Sequence, residues 1–267
     1  MENKKEEYNS EGYTRFDGYF TPDYIDDINL IIDRLQEELA VGDSVFDESK
    51  SGKIKQIQYL YKHDPLLHDM LDRVTEIAEK MLNIKKTDMD VLNMQLFEKH
   101  PGISKPTRSH QDNAYFKVKP VTPITFWISL DEIDEENGCL YYAPKTHLTP
   151  TRKHQRYHKH TTFRIRSGIP GLSLCLHEHP EETDTAMITK PGDILVHNCN
   201  LVHRAGKNNS ENRRRRAIAI EFIPKSCESD PLLMKYHNER LKEDIMLQKY
   251  KDPKLFSELL QEFSYLF

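Results

Sequence analysis

Two stretches in the N-terminal third carry apolar residues at helical spacing. The first opens at Thr21-Pro22-Asp23, which supplies an N-cap, a proline at the first helical position and an early acid. Behind it Ile25, Ile28, Ile32, Leu35 and Leu39 recur every three or four residues and form one stripe. The second opens at Asp64-Pro65 and gathers Leu67, Met70, Leu71, Val74, Ile77, Ala78 and Met81 on a broad face, while Asp69, Asp72, Arg73 and Glu76 point to water. These patterns predict two amphipathic helices that form a scaffold layer over residues 21–84.

From Asp90 the period shortens. Val91 to Phe97, Ile124 to Leu130, Cys139 to Tyr142, Ile194 to His197 and Ala217 to Ile223 are short β-prone runs separated by Pro, Gly and Asn turns. Helices followed by many short strands predict a mainly β fold, a barrel of two sheets over residues 90–224 flanked by helices. Residues 229–267 return to a helical pattern that Pro253 breaks in two, and packing or self-association into a homo-oligomer is their expected role. Residues 1–12 are rich in Lys, Glu, Asn and Ser, and predict a disordered tail ahead of a single domain spanning 13–267. Residues 148–182 lack a clear period and are basic and His-rich, which reads either as a lid-like binding insertion or as a solvated loop.

Composition narrows the function. A chain of 267 residues with 37% hydrophobic content can bury a full core. Its formal charge of −5 gives no whole-protein reason to expect nucleic acid or an anionic membrane, so any anion binding must be local. Cys139, Cys175, Cys199 and Cys227 are scattered without a CxxC pair, which predicts reduced thiols and a cytoplasmic setting. No run is apolar for long enough to span a bilayer.

The candidate chemistry centres on His110-Gln111-Asp112. In an extended segment residues i and i+2 share a face, so His110 and Asp112 can bind one metal ion from the same strand end. A third ligand must come from elsewhere, and His197 and His203 compete for that place. Two histidines and one carboxylate leave adjacent coordination positions for a chelating cosubstrate and dioxygen. Beyond His203 stands the run Arg213 to Arg216, in which strand alternation sets Arg213 and Arg215 on one face and Arg214 and Arg216 on the other. A guanidinium there offers a two-pronged anchor for a carboxylate, though such a run also reads as a solvated edge.

Four blocks in order resemble the phytanoyl-CoA dioxygenase family of Fe(II)/2-oxoglutarate oxygenases. They are Ser109 to Phe116, Phe126 to Asp131 with Glu136 to Leu140 and Pro144 to His147, Pro191 to His197, and Leu201 to His203 leading to Arg215-Arg216-Ala217-Ile218. The resemblance covers about Val91 to Ile223. It implies a double-stranded β-helix of jelly-roll, cupin-like form, with His110, Asp112 and His203 as iron ligands and Arg215 pairing with the distal carboxylate of 2-oxoglutarate. Gln95 and Trp127 fall where the family lines the cosubstrate pocket. The carboxylate at Asp112, where halogenating relatives carry a small residue, points to hydroxylation by O2 with release of succinate and CO2. Lys145-Thr146 stands in place of the family's Gly-Ser.

For the substrate, donors in the basic segment favour a small molecule bearing a phosphonate, phosphate or carboxylate, touched by Asn113, Arg164, Arg166 and Ser167. The alternatives are an acyl-CoA hydroxylase of the same family, a non-catalytic barrel that binds a metal or anion, and a zinc hydrolase, which would not need Arg215.

Overall fold

A computed structural model describes residues 1–42, 44–48, 51–156, 174–175 and 183–266. Helix α1 (Glu2–Glu11) runs into strand β1 (Tyr13–Phe16), and α2 (Pro22–Glu38) leads through β2 (Val45–Asp47) and β3 (Ile54–Ile57) to α3 (Pro65–Leu82). Strands β4 (Met89–Lys99) and β5 (Thr107–His110) precede a single helical turn, α4 (Asn113–Phe116). Then come β6 (Val118–Lys119), β7 (Ile124–Ser129), β8 (Leu140–Tyr142), and the short β9 (Gln155–Arg156) and β10 (Leu174–Cys175). They are followed by β11 (Thr185–Met187), β12 (Ile194–Asn198), β13 (His203–Ala205), β14 (Arg215–Pro224) and β15 (Glu228–Ser229), and by the helices α5 (Pro231–Lys251) and α6 (Pro253–Glu262).

The larger sheet runs β1-β12-β7-β14-β4-β3-β2 and the smaller β11-β8-β13-β5, with antiparallel pairing throughout. Strand alternation gives the larger sheet two different faces. Ile218, Ile220 and Phe222 of β14, Phe126 and Ile128 of β7, and Ile194 and Val196 of β12 point outward and pack on Ile25, Ile28 and Ile32 of α2 and Leu67, Met70 and Val74 of α3. Each of these side chains contributes about 1.5–3 kcal/mol through burial. Trp127, Leu195, Ala217 and Ala219 point inward and meet Leu140, Tyr142, Met187 and Ala205 of the smaller sheet. This is the double-stranded β-helix with flanking helices that the resemblance implies, and its inner face carries the polar groups described below.

The caps act as the sequence suggests. Thr21 Oγ1 accepts from Tyr24 N at 3.4 Å and Asp64 Oδ1 from Leu66 N at 2.9 Å. Helices α5 and α6 pack on each other through Leu241, Ile245, Leu255 and Leu259. Among the described residues no helix is long and apolar enough to cross a membrane.

The N-terminal residues correct an expectation. The segment read as a disordered tail forms α1, held by a few contacts rather than by an apolar stripe. Tyr8 is buried and its hydroxyl accepts from Asn198 Nδ2 at 3.3 Å, while His147 Nε2 donates to the Asn9 carbonyl at 3.0 Å. Gly12 ends the helix at φ 87°, where a side chain would collide with the His147 ring. Strands β1, β2, β3, β5, β11 and β13, at three or four residues each, were too short for a periodic signal. Of the insertion 148–182, only residues 148–156 and 174–175 are described, and β9 pairs with β10 there.

The turn before β12 ties this sheet to α2. Phe20 N donates to the Gly192 carbonyl at 3.1 Å, and the carboxylate of Asp193 accepts from Gly18 N at 2.7 Å and Lys190 N at 2.9 Å. Gly192 has φ 90°, and a Cβ there would lie 2.1 Å from the Phe20 carbonyl oxygen. Gly192→Ala is expected to lower the free energy of unfolding by roughly 2–4 kcal/mol, read from chemical denaturation. A change below about 1 kcal/mol would show that the turn relaxes freely.

Candidate active site

Strands β5 and β13 are neighbours in the smaller sheet, and their register sets His203 opposite His110 with ring centroids 4.2 Å apart. Asp112 follows two residues later, at the entry to α4. Nε2 of His110 and Nε2 of His203 each lie 3.5 Å from Oδ1 of Asp112, and ligand atoms of the three residues all fall within 4.8 Å of one another. They could hold one metal ion. Nδ1 of His110 faces the Arg108 carbonyl at 2.8 Å, and Nδ1 of His203 faces the Leu201 carbonyl at 3.0 Å. A carbonyl only accepts, so both Nδ1 atoms carry the proton and both Nε2 lone pairs face the centre.

The second oxygen of Asp112 is held from the larger sheet. Oδ2 accepts from His197 Nε2 and from Thr125 Oγ1, each at 3.2 Å, and the Tyr142 hydroxyl donates to His197 Nδ1 at 2.8 Å. His197 therefore stands behind the carboxylate, while His203 converges with His110. Gln111, between His110 and Asp112, is fully buried. Its N–H donates to His154 Nε2 at 2.8 Å, its amide donates to the Asn200 carbonyl at 2.8 Å, and its oxygen accepts from Arg152 N at 2.9 Å.

Burial alone would raise the Asp112 carboxyl, but its histidine neighbours His203, His110 and His197 hold it well below the usual carboxylate range. Burial, reinforced by His110, pushes His203 down to about 3, and burial pushes His154 down to about 4. At neutral pH the site therefore presents an ionised carboxylate and a neutral imidazole at His203, the protonation states that a divalent cation requires.

Four arginines follow, and the structure separates them. Arg213 makes a two-bond contact to Asp134 and reaches Glu136. Arg214 pairs with Glu98 and Asp33, and Arg216 with Asp131 and Asp33. Arg215 points inward, 3% exposed, with its guanidinium 5.3 Å from the Trp127 ring centroid. Its Nε and Nη1 are buried without a hydrogen-bond partner. Burial lowers its pKa to about 10, which leaves it charged at neutral pH.

Gln95 and Trp127 also lie on the inner face. Gln95 accepts from Gln56 Nε2 and donates to Glu221 Oε1, both at 2.6 Å, and Trp127 stacks on Phe97 at 5.6 Å. Asn113, expected to touch the substrate, is fully buried, and its side chain hydrogen-bonds to Val118 and Thr151 and braces the turn after Asp112. Arg164, Arg166 and Ser167 lie outside the described residues.

Sequence reasoning missed Thr125, Tyr142, His154, Lys99 and Glu221. Glu221 had a readable signal, since it is the one charged residue in the run from Ala217 to Ile223. Burial, then the charge of Asp112, pushes it up to about 8.

Two histidines and a carboxylate that converge inside a double-stranded β-helix resemble the metal-binding arrangement of the iron- and 2-oxoglutarate-dependent oxygenases. The model of the phytanoyl-CoA dioxygenase (PhyH) family matches residues 8–217, and the chain belongs to that family. Among curated relatives it is 28% identical to phytanoyl-CoA dioxygenase domain-containing protein 1 of Danio rerio, over 64% of this chain and 60% of that protein. It is 24% identical to a Stutzerimonas stutzeri protein named "probable alpha-ketoglutarate-dependent hypophosphite dioxygenase", over 79% of this chain and 75% of that one. Among the first relatives it matches, the chain spans 60% of the zebrafish protein and 40% of the bovine peroxisomal phytanoyl-CoA dioxygenase. EvdO2 of Micromonospora carbonacea var. aurantiaca, solved with 2-oxoglutarate, aligns with a TM-score of 0.70 at 25% identity, over 86% of this chain and 92% of that one.

His197→Phe removes a donor to Asp112 without adding a charge. The affinity for Mn(II), followed by titration, is expected to fall about 10–100-fold. Equal affinity in the two proteins would show that Asp112 does not need this donor.

Proposed function

We propose that the protein hydroxylates a small molecule bearing an anionic group, with conversion of 2-oxoglutarate and O2 to succinate and CO2. In this reading His110, Asp112 and His203 bind Fe(II), and Arg215 binds the distal carboxylate of 2-oxoglutarate. The observation that carries it is Arg215, a buried cation on the inner face whose Nε and Nη1 lack partners, where the neighbouring arginines are all matched by acids. A buried guanidinium left unsatisfied is costly, and a carboxylate fits its two-pronged donor geometry. A hydrolytic zinc site would have no use for it.

The iron supplies the activation of dioxygen when bound. The residues of this chain do the rest. His197 and Thr125 fix Asp112 so that one oxygen faces the metal position, and the backbone carbonyls of Arg108 and Leu201 fix both imidazoles. Trp127 and Phe97 stack on each other beside Arg215 and present flat apolar surface to it.

An anionic substrate is supported by a basic cluster close to Tyr115, whose ring meets that of His110. Lys117, just past α4, is brought down to about 8 by burial and by Arg240, and His237 of α5 is brought down to about 4 by burial, Lys117 and Arg240. At neutral pH His237 is uncharged, while Lys117 and Arg240 oppose each other's charge with Glu239 and Glu243 near Arg240, and an anion beside Lys117 would relieve that opposition. Arg240 Nη1 donates to the His154 carbonyl at 3.5 Å, which joins this cluster to the loop behind Gln111. The similarity to a protein named for hypophosphite oxidation agrees with an anionic substrate.

Anaerobically reconstituted Fe(II) protein exposed to air is expected to form succinate from 2-oxoglutarate, faster with one class from a panel of phosphonates, phosphates, carboxylates and acyl-CoAs. Asp112→Ala should lower the rate by more than about 100-fold. Failure of the wild-type protein to bind 2-oxoglutarate would overturn the reading. Stimulation by acyl-CoAs alone would replace the small anion with the family's other substrate class.

A further inference from the structure

Lys99 ends β4 and Arg215 begins β14, and the two are direct partners in the ladder, so their side chains leave the same face of the sheet. That face is the inner one, shared with Phe97 and Gln95 two and four residues earlier. Lys99 is 5% exposed and Arg215 is 3% exposed. Lysine and arginine are seldom buried this far without an anion, yet neither forms an ion pair among the described residues. The partner of Lys99 Nζ is the Lys105 carbonyl at 2.5 Å, which leaves N–H donors to spare on the ammonium group. Burial, then the charge of Arg215, brings Lys99 well below the ordinary lysine range, with Glu48 acting against them and Lys55 with them. Glu48 itself accepts from Ser104.

Two basic groups buried side by side in this way oppose each other's charge until a negative group arrives. We propose that Lys99 is a second cation for the distal carboxylate of 2-oxoglutarate, bonding it beside Arg215. The inference rests on the assignment of Arg215 to that carboxylate. A guanidinium takes the two oxygens along one edge and leaves further lone pairs on each, and a compact ammonium group from the next strand fits one of them. Lys99 thereby selects a 2-oxo acid with a charged far end, and it contributes to the affinity for the cosubstrate rather than to any proton transfer.

The test compares 2-oxoglutarate with 2-oxopentanoate, which keeps the 2-oxo acid end and lacks the distal carboxylate. Binding of each to the Mn(II)-loaded protein is measured by calorimetry for wild type, Lys99→Met and Lys99→Gln. The glutamine retains a donor for the Lys105 carbonyl without the charge, and so guards against a methionine variant that fails to fold. Loss of a charge-assisted hydrogen bond predicts about 10–100-fold weaker 2-oxoglutarate binding, with 2-oxopentanoate binding changed by less than about twofold. Unchanged 2-oxoglutarate binding, or an equal loss for both ligands, would overturn the proposal and leave Lys99 as a tie between β4 and the loop after it. A wild-type protein that fails to prefer 2-oxoglutarate would remove the Arg215 assignment first, and the role of Lys99 with it.

Discussion

Everything at the centre of this protein depends on how one buried carboxylate is shared. Asp112 sits between the two sheets, with Oδ1 toward His110 and His203 of the smaller sheet and Oδ2 hydrogen-bonded to His197 and Thr125 of the larger. A carboxylate in that position needs donors on every side it shows to protein. Supplying them fixes the register of β5 against β13, the placement of β12 and β7, and the rotamer of the acid itself. The strand partnership of His110 and His203 is the other half of the arrangement, because a slip of one residue in either strand would turn a histidine to the opposite face.

A similar economy governs the charges at the start of β14. Alternation sends Arg214 and Arg216 to the outer face, where Asp33 of α2, Glu98 of β4 and Asp131 after β7 receive them. Arg213, just before the strand, is taken by Asp134 and Glu136. The acids near this end of the strand are engaged outside the barrel, and the inward basic groups Arg215 and Lys99 form no ion pair among the described residues, which leaves them for something that enters.

The sequence disclosed those features whose cause is local. The stripes and caps of α2 and α3 come from residue types at fixed offsets, and both helices begin at the residues expected. The ligand candidates were visible because i and i+2 spacing is a local property, and the family likeness supplied the order of His203 and Arg215. Helix α1 was missed because its stability is tertiary: Tyr8 under Asn198, and Asn9 under His147, come from far along the chain. His154 and Thr125 were missed for the same reason. Their contacts to Gln111 and Asp112 exist only once the sheets are registered. The four arginines lie between these cases, since alternation divides them by face but only the acids on α2, β4 and the turn after β7 decide which one is left bare.

Glu221 sets a last constraint. It shares the inner face of β14 with Arg215, Ala217 and Ala219, lies across the ladder from Thr125, and is held by Gln95. The two alanines leave space between an anion-seeking end at Arg215 and an acid at the far end. An anionic substrate gains nothing by approaching Glu221, whose burial and proximity to the charge of Asp112 already oppose its ionisation. On the proposed function, such a substrate keeps its charge near Lys117 and Arg240 and turns its uncharged portion toward the metal position. A hydroxyl or other neutral donor on that portion is what the Glu221 carboxyl can receive.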